Sequence, residues 1–338
     1  MTSPSITFDA LQALLRGLSP VGAGRPDGPT PPVVVVDLDE RTSDGPLVEA
    51  HAGLPVVIVG VTDAVPPEGH PAAATCDVVL ARGDAALDAI VATVAAQPIA
   101  ATALALVLRG SGDRTTDDGL LIESAVYSAL QAGPEFAAWR AGRPRRERES
   151  SPEPVVLQRD GARLDITLTR PHVRNALDAA MQDGLTEAFG LVALDSTITE
   201  VHLRGAGPAF CSGGDLDEFG SFPDPATAHL IRLERSPARA IHAVRDRVTA
   251  HLHGACVGSG IELPAFATTV LADPSTVISL PEVSLGLIPG AGGTVSLPRR
   301  IGRHRTARLA LTGEQIDAAT ACEWGLVDAM VDAIEQPA

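Results

Sequence analysis

The sequence of 338 residues contains no lysine, so all 26 basic residues are arginine. Schiff-base chemistry and a lysine general base are therefore excluded, because both need a side-chain amine. Cysteine is also scarce, and the wide spacing without a CxxC pair indicates buried thiols rather than a disulfide framework. The four cysteines are Cys76, Cys211, Cys256 and Cys322. No apolar run approaches the roughly 18 residues of a membrane span, so we expect no membrane segment.

Positive charge is in deficit, and the formal net charge is -16. This charge opposes nonspecific binding to nucleic acid and to acidic membrane surfaces, so we expect neither as a partner. The nine histidines show no recognisable metal-ligand spacing, and we expect no metal site. The N-terminus lacks the pattern of a signal peptide, which predicts a cytoplasmic protein.

Composition divides the chain into four segments. Residues 1–83 contain three β-branched runs without alternation and predict a small α/β segment of unknown role, with strands buried on both faces. Residues 84–142 are alanine-rich and predict a helical module. Residues 143–154 are charged and contain proline, which predicts a linker. Residues 155–338 alternate strand and helix patterns, so an α/β layered core is expected.

Two acids in this core lie close to glycine-rich turns. The sequence VGSGIE predicts a turn that starts an apolar helix, with Glu262 in its first turn, and Glu282 follows in SLPE. An acid at a helix start is also explained by capping electrostatics alone. A second turn, AFCSGGD, is predicted to run into another helix and to expose backbone amides. Two such sets of amides, aimed at one oxygen, would stabilise an enolate or tetrahedral anion.

The order of these motifs makes the signal specific. TRPHVRNALD, LRGAGPAFCSGGDLDEF, HGACVGSGIELP and LPEVSLGLIPGAGGT follow one another between Thr169 and Thr294. In sequence and order they resemble the enoyl-CoA hydratase/isomerase family, also called crotonases, over residues 155–331. The resemblance implies an α/β fold built as a spiral of ββα units, and an acyl-CoA thioester as substrate. It implies no cofactor beyond the coenzyme A of that substrate.

The resemblance also implies site residues. The hydratase acids would be Glu262 and Glu282, and the amides of Ser212 and Ser259 would form the oxyanion hole. The substrate and coenzyme A path would be lined by Arg174, Ala176, Leu177, Gly213, Gly214, Asp215, Leu216, Gly260, Pro281 and Gly290. Because both acids are present, the sequence favours hydration: one carboxyl group can activate water while the other delivers a proton. Isomerisation, hydrolysis, ring cleavage, cofactor-free oxygenation and a non-catalytic acyl-CoA-binding subunit remain alternatives.

The sequence departs from the family pattern after the GLVD segment at Gly325. Family members continue there into helices that pack on the core and build a trimer. The helical module of residues 84–142 resembles those helices, so we expect that it has moved to the N-terminal side. A homo-oligomer, trimer or hexamer, is expected by resemblance. The arginines of the Arg299–Arg308 stretch could hold coenzyme A phosphates, but a solvated helix face is the favoured interpretation.

Overall fold

The computed structural model describes residues 5–16, 32–40, 47–50, 54–146 and 153–332. The described helices are α1 (Phe8–Leu15), α2 (Ala86–Ala96), α3 (Pro98–Arg109), α4 (Thr116–Gln131), α5 (Pro134–Ala141), α6 (Ala179–Leu194), α7 (Pro225–Glu234), α8 (Pro237–Val244), α9 (Ser259–Glu262), α10 (Gly293–Thr312) and α11 (Ala318–Trp324). Helix α10 is kinked at Gly302, which has a φ of 75°. Among the described helices, no single one is long and apolar enough to cross a membrane. Helices α2 and α3 meet these criteria of length and composition only when they are taken together as a bent pair.

The strands form three sheets. They are β1 (Ser5–Ile6), β2 (Val33–Asp37), β3 (Val57–Thr62), β4 (Val78–Ala81), β5 (Val155–Asp160), β6 (Arg163–Leu168), β7 (Glu200–Gly205), β8 (Val248–Leu252), β9 (Ala255–Val257), β10 (Thr269–Ala272), β11 (Val277–Ser279), β12 (Ile316–Asp317) and β13 (Ala329–Met330). The first sheet has the order β1-β2-β3-β4 and is parallel throughout. The second has the order β13-β10-β8-β7-β6-β5, and the third β12-β11-β9.

The first sheet is buried on both faces, as the runs of β-branched residues predicted. Along β2, the alternate residues Val34 and Val36 pack in one apolar cluster with helix α1. Val33 and Val35 point the other way, into the main core shared with helices α2 to α4. The first sheet and the helices that follow it therefore share one continuous apolar interior with the C-terminal half of the chain.

The helical segment packs on the core of its own chain. Helices α2, α3 and α4 contact α10, and α4 also lies against α7 and α8. A buried ion pair ties this segment to the first sheet, because Arg109 and Asp77 are 2.7 Å apart and both side chains are only 2% exposed. The Asp77 carboxylate also accepts the amide of Ile58 at 2.8 Å. That these helices correspond to a relocated family module stays a prediction.

The arginines of α10 do not form a solvated helix face, so that expectation was wrong. Arg303 donates to the carbonyls of Cys76 at 2.7 Å and Ala74 at 2.9 Å. Arg308 pairs with Asp84 at 2.6 Å, and Arg305 donates to a glutamate in the same N-terminal part of the chain. The sequence cannot show this, because the partners lie more than 200 positions away along the chain. These arginines hold the N-terminal segments to the core.

The predicted α/β core was confirmed, since strands and helices alternate from β5 onwards. Strands β5 and β6 form a hairpin, with Asp160 paired to Arg163 across the turn. One expectation was wrong: the AFCSGGD turn does not run into a helix, since the next helix begins at Pro225. The expected helix after the GSG turn is present as α9 with Glu262 in its first turn; it is four residues long, and a 3₁₀ turn begins at Pro264. Of the predicted linker, residues 147–152 lie outside the described residues.

Candidate active site

A cavity of about 260 Å³ lies between the core and the helical segment. Seven of the residues singled out from the sequence line it: Leu177, Gly214, Asp215, Ser259, Glu262, Glu282 and Gly290. One face of α4 closes the opposite side, with residues spaced at helical intervals: Leu120, Glu123, Ser124, Tyr127 and Gln131. The predicted acids therefore face a wall that comes from the N-terminal side of the chain.

Glu262 and Glu282 converge on this cavity. Both are nearly inaccessible, at 2% and 8% exposure. Both carboxylates lie close to Gly258: a Cβ on Gly258 would collide with the Glu282 Oε1 atom and would lie 3.7 Å from Glu262 Oε1. Glu262 Oε2 accepts the amides of Ala291 and Gly293, each at 2.8 Å. Glu282 Oε2 is buried and accepts no hydrogen bond from the described residues.

Burial changes the proton affinity of both groups. Loss of water around Glu282 raises its pKa to about 7. Burial, and then the nearby charges of Glu282 and Glu123, raise the pKa of Glu262 well above its ordinary range, while the amides of Ala291 and Gly293 oppose this rise. Two acids that repel each other in a dry pocket ionise one after the other, so one can be an acid while the other is a base.

The Ser212 amide, predicted as an oxyanion-hole donor, is already used. It donates to the carbonyl of Arg174 at 2.9 Å, so that prediction was wrong. Gly214, two residues on, lines the cavity instead. The amide of Asp215 faces the neighbouring segment and bonds Leu177. Gly214 lies opposite Leu177 in a parallel bridge, so the amide of Gly214 is directed away from Leu177. It makes no hydrogen bond within the described part of the chain.

The second predicted donor, Ser259, has a suitable position. It is the first residue of α9 and lines the cavity, and its amide makes no hydrogen bond within the described part of the chain. The two turns touch, because a Cβ on Gly260 would collide with the carbonyl of Cys211. The amide of Val257 also bonds that carbonyl at 3.0 Å. Gly214 and Ser259 thus both line the cavity with amides that make no hydrogen bond within the described part of the chain.

The remaining predicted substrate residues do not line the cavity. They are Arg174, Ala176, Gly213, Leu216, Gly260 and Pro281. The segment around Arg174 is bonded to the AFCSGGD turn, with the Leu177 amide donating to Gly213 at 2.8 Å. Asp215 lines the cavity, but its carboxylate is 3.3 Å from Arg170. Its charge is therefore compensated inside the protein.

Sequence reasoning missed three polar residues here. Arg170 is 2% exposed and also lies 3.1 Å from Asp178, so it fixes the turn that carries the predicted substrate residues. Glu123 and Arg232 line the cavity from α4 and α7. Tyr127, the only tyrosine in the sequence, lines the cavity beside Glu123. Glu123 and Tyr127 are four residues apart, a spacing that puts two side chains on the same face of a helix. This spacing was the signal in the sequence that the two residues share one surface.

Comparison with known proteins agrees with this geometry. The enoyl-CoA hydratase/isomerase family matches residues 159–336, more than half of the chain. YngF of Bacillus subtilis (strain 168), which carries an enoyl-CoA hydratase/isomerase name, is 37% identical over 164 residues. The match covers 48% of this chain and 63% of YngF, so the chain spans less than two thirds of that relative.

Solved structures show the same fold. An enoyl-CoA hydratase from Thermoplasma volcanium GSS1 matches with 36% identity and a TM-score of 0.50, over 53% of this chain and 72% of its own. An enoyl-CoA hydratase from Bacillus anthracis matches with 31% identity and a TM-score of 0.50, over 53% and 70%. The family binds acyl-CoA substrates. The chain described here belongs to the enoyl-CoA hydratase/isomerase family.

Proposed function

We propose that this protein is an enoyl-CoA hydratase, which adds water across the 2,3 double bond of an enoyl-CoA thioester. The observation that supports hydration most directly is the pair of buried carboxyl groups, Glu262 and Glu282, which both lie close to Gly258. Isomerisation needs only one group that moves a proton between carbons, whereas hydration needs one group for water and one for the α-carbon. The proposal uses both groups.

In this mechanism the thioester oxygen accepts hydrogen bonds from the amides of Gly214 and Ser259. These two donors stabilise the enolate that forms when water attacks the β-carbon, each by roughly 3 kcal/mol. Burial raises the pKa of both acids, and the proposal places their shared proton on Glu282. The amides of Ala291 and Gly293 donate to Glu262 and favour its ionised form, whereas Glu282 Oε2 accepts no hydrogen bond from the described residues.

Glu262 then takes a proton from the attacking water, whose oxygen bonds to the β-carbon. Glu282 delivers its proton to the α-carbon, and the enolate returns to a thioester. The product is a 3-hydroxyacyl-CoA. The proton taken by Glu262 returns to Glu282 through solvent before the next turnover, so every atom of the added water is accounted for.

The test is hydration of crotonyl-CoA, and of longer and aromatic enoyl thioesters, by the wild type, Glu262→Gln and Glu282→Gln. We expect each variant to lose about 10²- to 10⁴-fold in kcat, the usual contribution of a positioned acid or base. Glu187→Gln, an exposed glutamate on α6, is the matched control. A wild type that shifts the double bond of a 3-enoyl thioester but hydrates no 2-enoyl thioester would identify an isomerase instead.

A further inference from the structure

Glu123 is a buried carboxylate that lies outside the four motifs that carry the family resemblance. It is carried by α4 and is 2% exposed. Its Oε1 atom accepts the amide of Gly292 at 2.7 Å. Its Oε2 atom accepts the amide of Thr294 at 2.9 Å and the hydroxyl of the same threonine at 2.7 Å. An acid from the helical segment is therefore fully bonded to the start of α10.

The same turn carries the hydrogen bonds of Glu262. Along Gly290–Thr294, the amides of Ala291 and Gly293 donate to Glu262, and those of Gly292 and Thr294 donate to Glu123. Four consecutive amides thus alternate between two carboxylates on opposite sides of the chain. Displacing the turn towards or away from one carboxylate changes the distance to the other.

We propose that Glu123 is a positioning residue that holds the Gly290–Thr294 turn so that Glu262 is kept in place for the reaction. The inference rests on the proposed role of Glu262 as a reacting group. It assigns the helical segment a part in the chemistry, since the segment supplies a hydrogen-bonding partner as well as a wall of the cavity.

Charge supports the same assignment. Burial raises the pKa of Glu123 to about 7, and its negative charge is among the groups that raise the pKa of Glu262. The groups that face this pair are Glu282 beside α9, Tyr127 on α4 and Arg232 on α7. The buried thiol of Cys211 lies nearby, and burial raises its pKa to about 11. Removing the charge of Glu123 therefore lowers the pKa of Glu262.

Two substitutions separate charge from position. Glu123→Gln keeps the length of the side chain but loses the charge, and its NH₂ group faces one amide donor instead of accepting from it. Glu123→Asp keeps the charge but is too short to bond both Gly292 and Thr294. Asp117→Asn is the matched control, because Asp117 lies on the same helix and its side chain is 73% exposed.

The first measurement needs no substrate. The titration of Glu262 is followed by carboxyl ¹³C NMR in glutamate-labelled protein, with the resonance assigned from Glu262→Gln. We expect Glu123→Gln to lower the pKa of Glu262 and the Asp117→Asn control to leave it unchanged. A purely structural role for Glu123 would lower the melting temperature without moving this titration.

The second measurement is the dependence of kcat and KM on pH. We expect both Glu123 variants to lose about 10- to 100-fold in kcat with little change in KM, since misplacing a reacting group by 1 Å has an effect of that order. The pH profile of Glu123→Gln should move to lower pH, while that of Glu123→Asp should not. Folded variants with the wild-type titration and kcat would overturn the inference. If the wild type hydrates no enoyl thioester, the proposed function fails, and the NMR titration still decides whether Glu123 acts on the ionisation of Glu262.

Discussion

The Oε1 atom of Glu282 occupies the space next to Gly258 where any other residue would place its Cβ atom. Gly258 also has a φ of 52° and a ψ of -120°, a conformation that residues with a side chain rarely adopt. Two separate reasons therefore require glycine at position 258: its backbone conformation, and the carboxylate that leaves no room for a Cβ atom. In the proposed mechanism this close approach brings Glu282 to the α-carbon of the substrate.

Gly258→Ala should displace the Glu282 carboxylate and reduce kcat by about 10²-fold, the effect expected of a reacting group moved by 1 Å. Gly161→Ala is the control, because Gly161 has a similar φ of 59° but no atom within 4 Å of its Cβ position. Both changes strain the backbone, and only the first disturbs the site. Equal kcat values for the two variants would show that the position of Glu282 does not limit the reaction.

Glu282→Gln should stabilise the folded protein at pH values above 7. Burial raises the folded pKa of Glu282 to about 7 from an ordinary value of 4.5, so the folded state binds the proton more tightly than the unfolded state. Wild-type stability therefore falls as the pH rises from 4.5 through 7, by an amount on the order of 3 kcal/mol. Glutamine has no charge to bury.

The measurement is the melting temperature of both proteins across this pH range. The melting temperature of Glu282→Gln should equal that of the wild type near pH 4.5. The difference between the two should grow with pH and level off above 7. An advantage that is the same at every pH would mean that packing, and not the buried charge, separates the two proteins.

Tyr127 should limit the size of the acyl group. A Cβ on Gly290 would lie 2.5 Å from the Tyr127 ring, and the Arg232 guanidinium lies 4.9 Å from the centre of the ring on another side. Tyr127→Leu should therefore open the cavity and raise kcat/KM for longer enoyl thioesters relative to crotonyl-CoA by about 10-fold, since one methylene in a pocket is worth roughly 1–3 kcal/mol. Tyr127→Phe keeps the ring and should leave this preference unchanged. An unaltered preference in Tyr127→Leu would place the acyl chain elsewhere.

Arg109→Met should destabilise the junction between the first sheet and the helical segment. The substitution removes the nearer of the two cations of the buried Asp77, since Arg303 lies 4.0 Å away, and breaking such a buried pair costs about 3–5 kcal/mol. Arg159→Met is the control, because Arg159 and Asp195 form a solvent-accessible pair, and such surface pairs contribute little to stability. Urea unfolding of both variants gives the comparison, and equal losses of stability would contradict the role of the buried pair.

The family, the α/β fold and the two candidate acids could be predicted because they depend on short motifs. Glycine turns such as GSG and CSGGD leave a local signal, and Glu262 and Glu282 stand at fixed distances from glycine or proline. The strands of the first sheet were also predictable, because continuous runs of β-branched residues, such as the run that begins at Val33, are typical of strands buried on both faces of a sheet.

Only the tertiary structure decided which backbone amide faces the cavity and what surrounds the acids. The direction of an amide depends on the neighbouring segment it bonds, and Arg174 uses the amide of Ser212 while that of Gly214 stays available. Glu123 meets the Gly290–Thr294 turn from 169 positions away along the chain. The sequence by itself determined which residue types could react in this protein, because those types sit in local motifs. Their partners were decided by the folded chain, because burial and hydrogen bonding join residues that no local pattern connects.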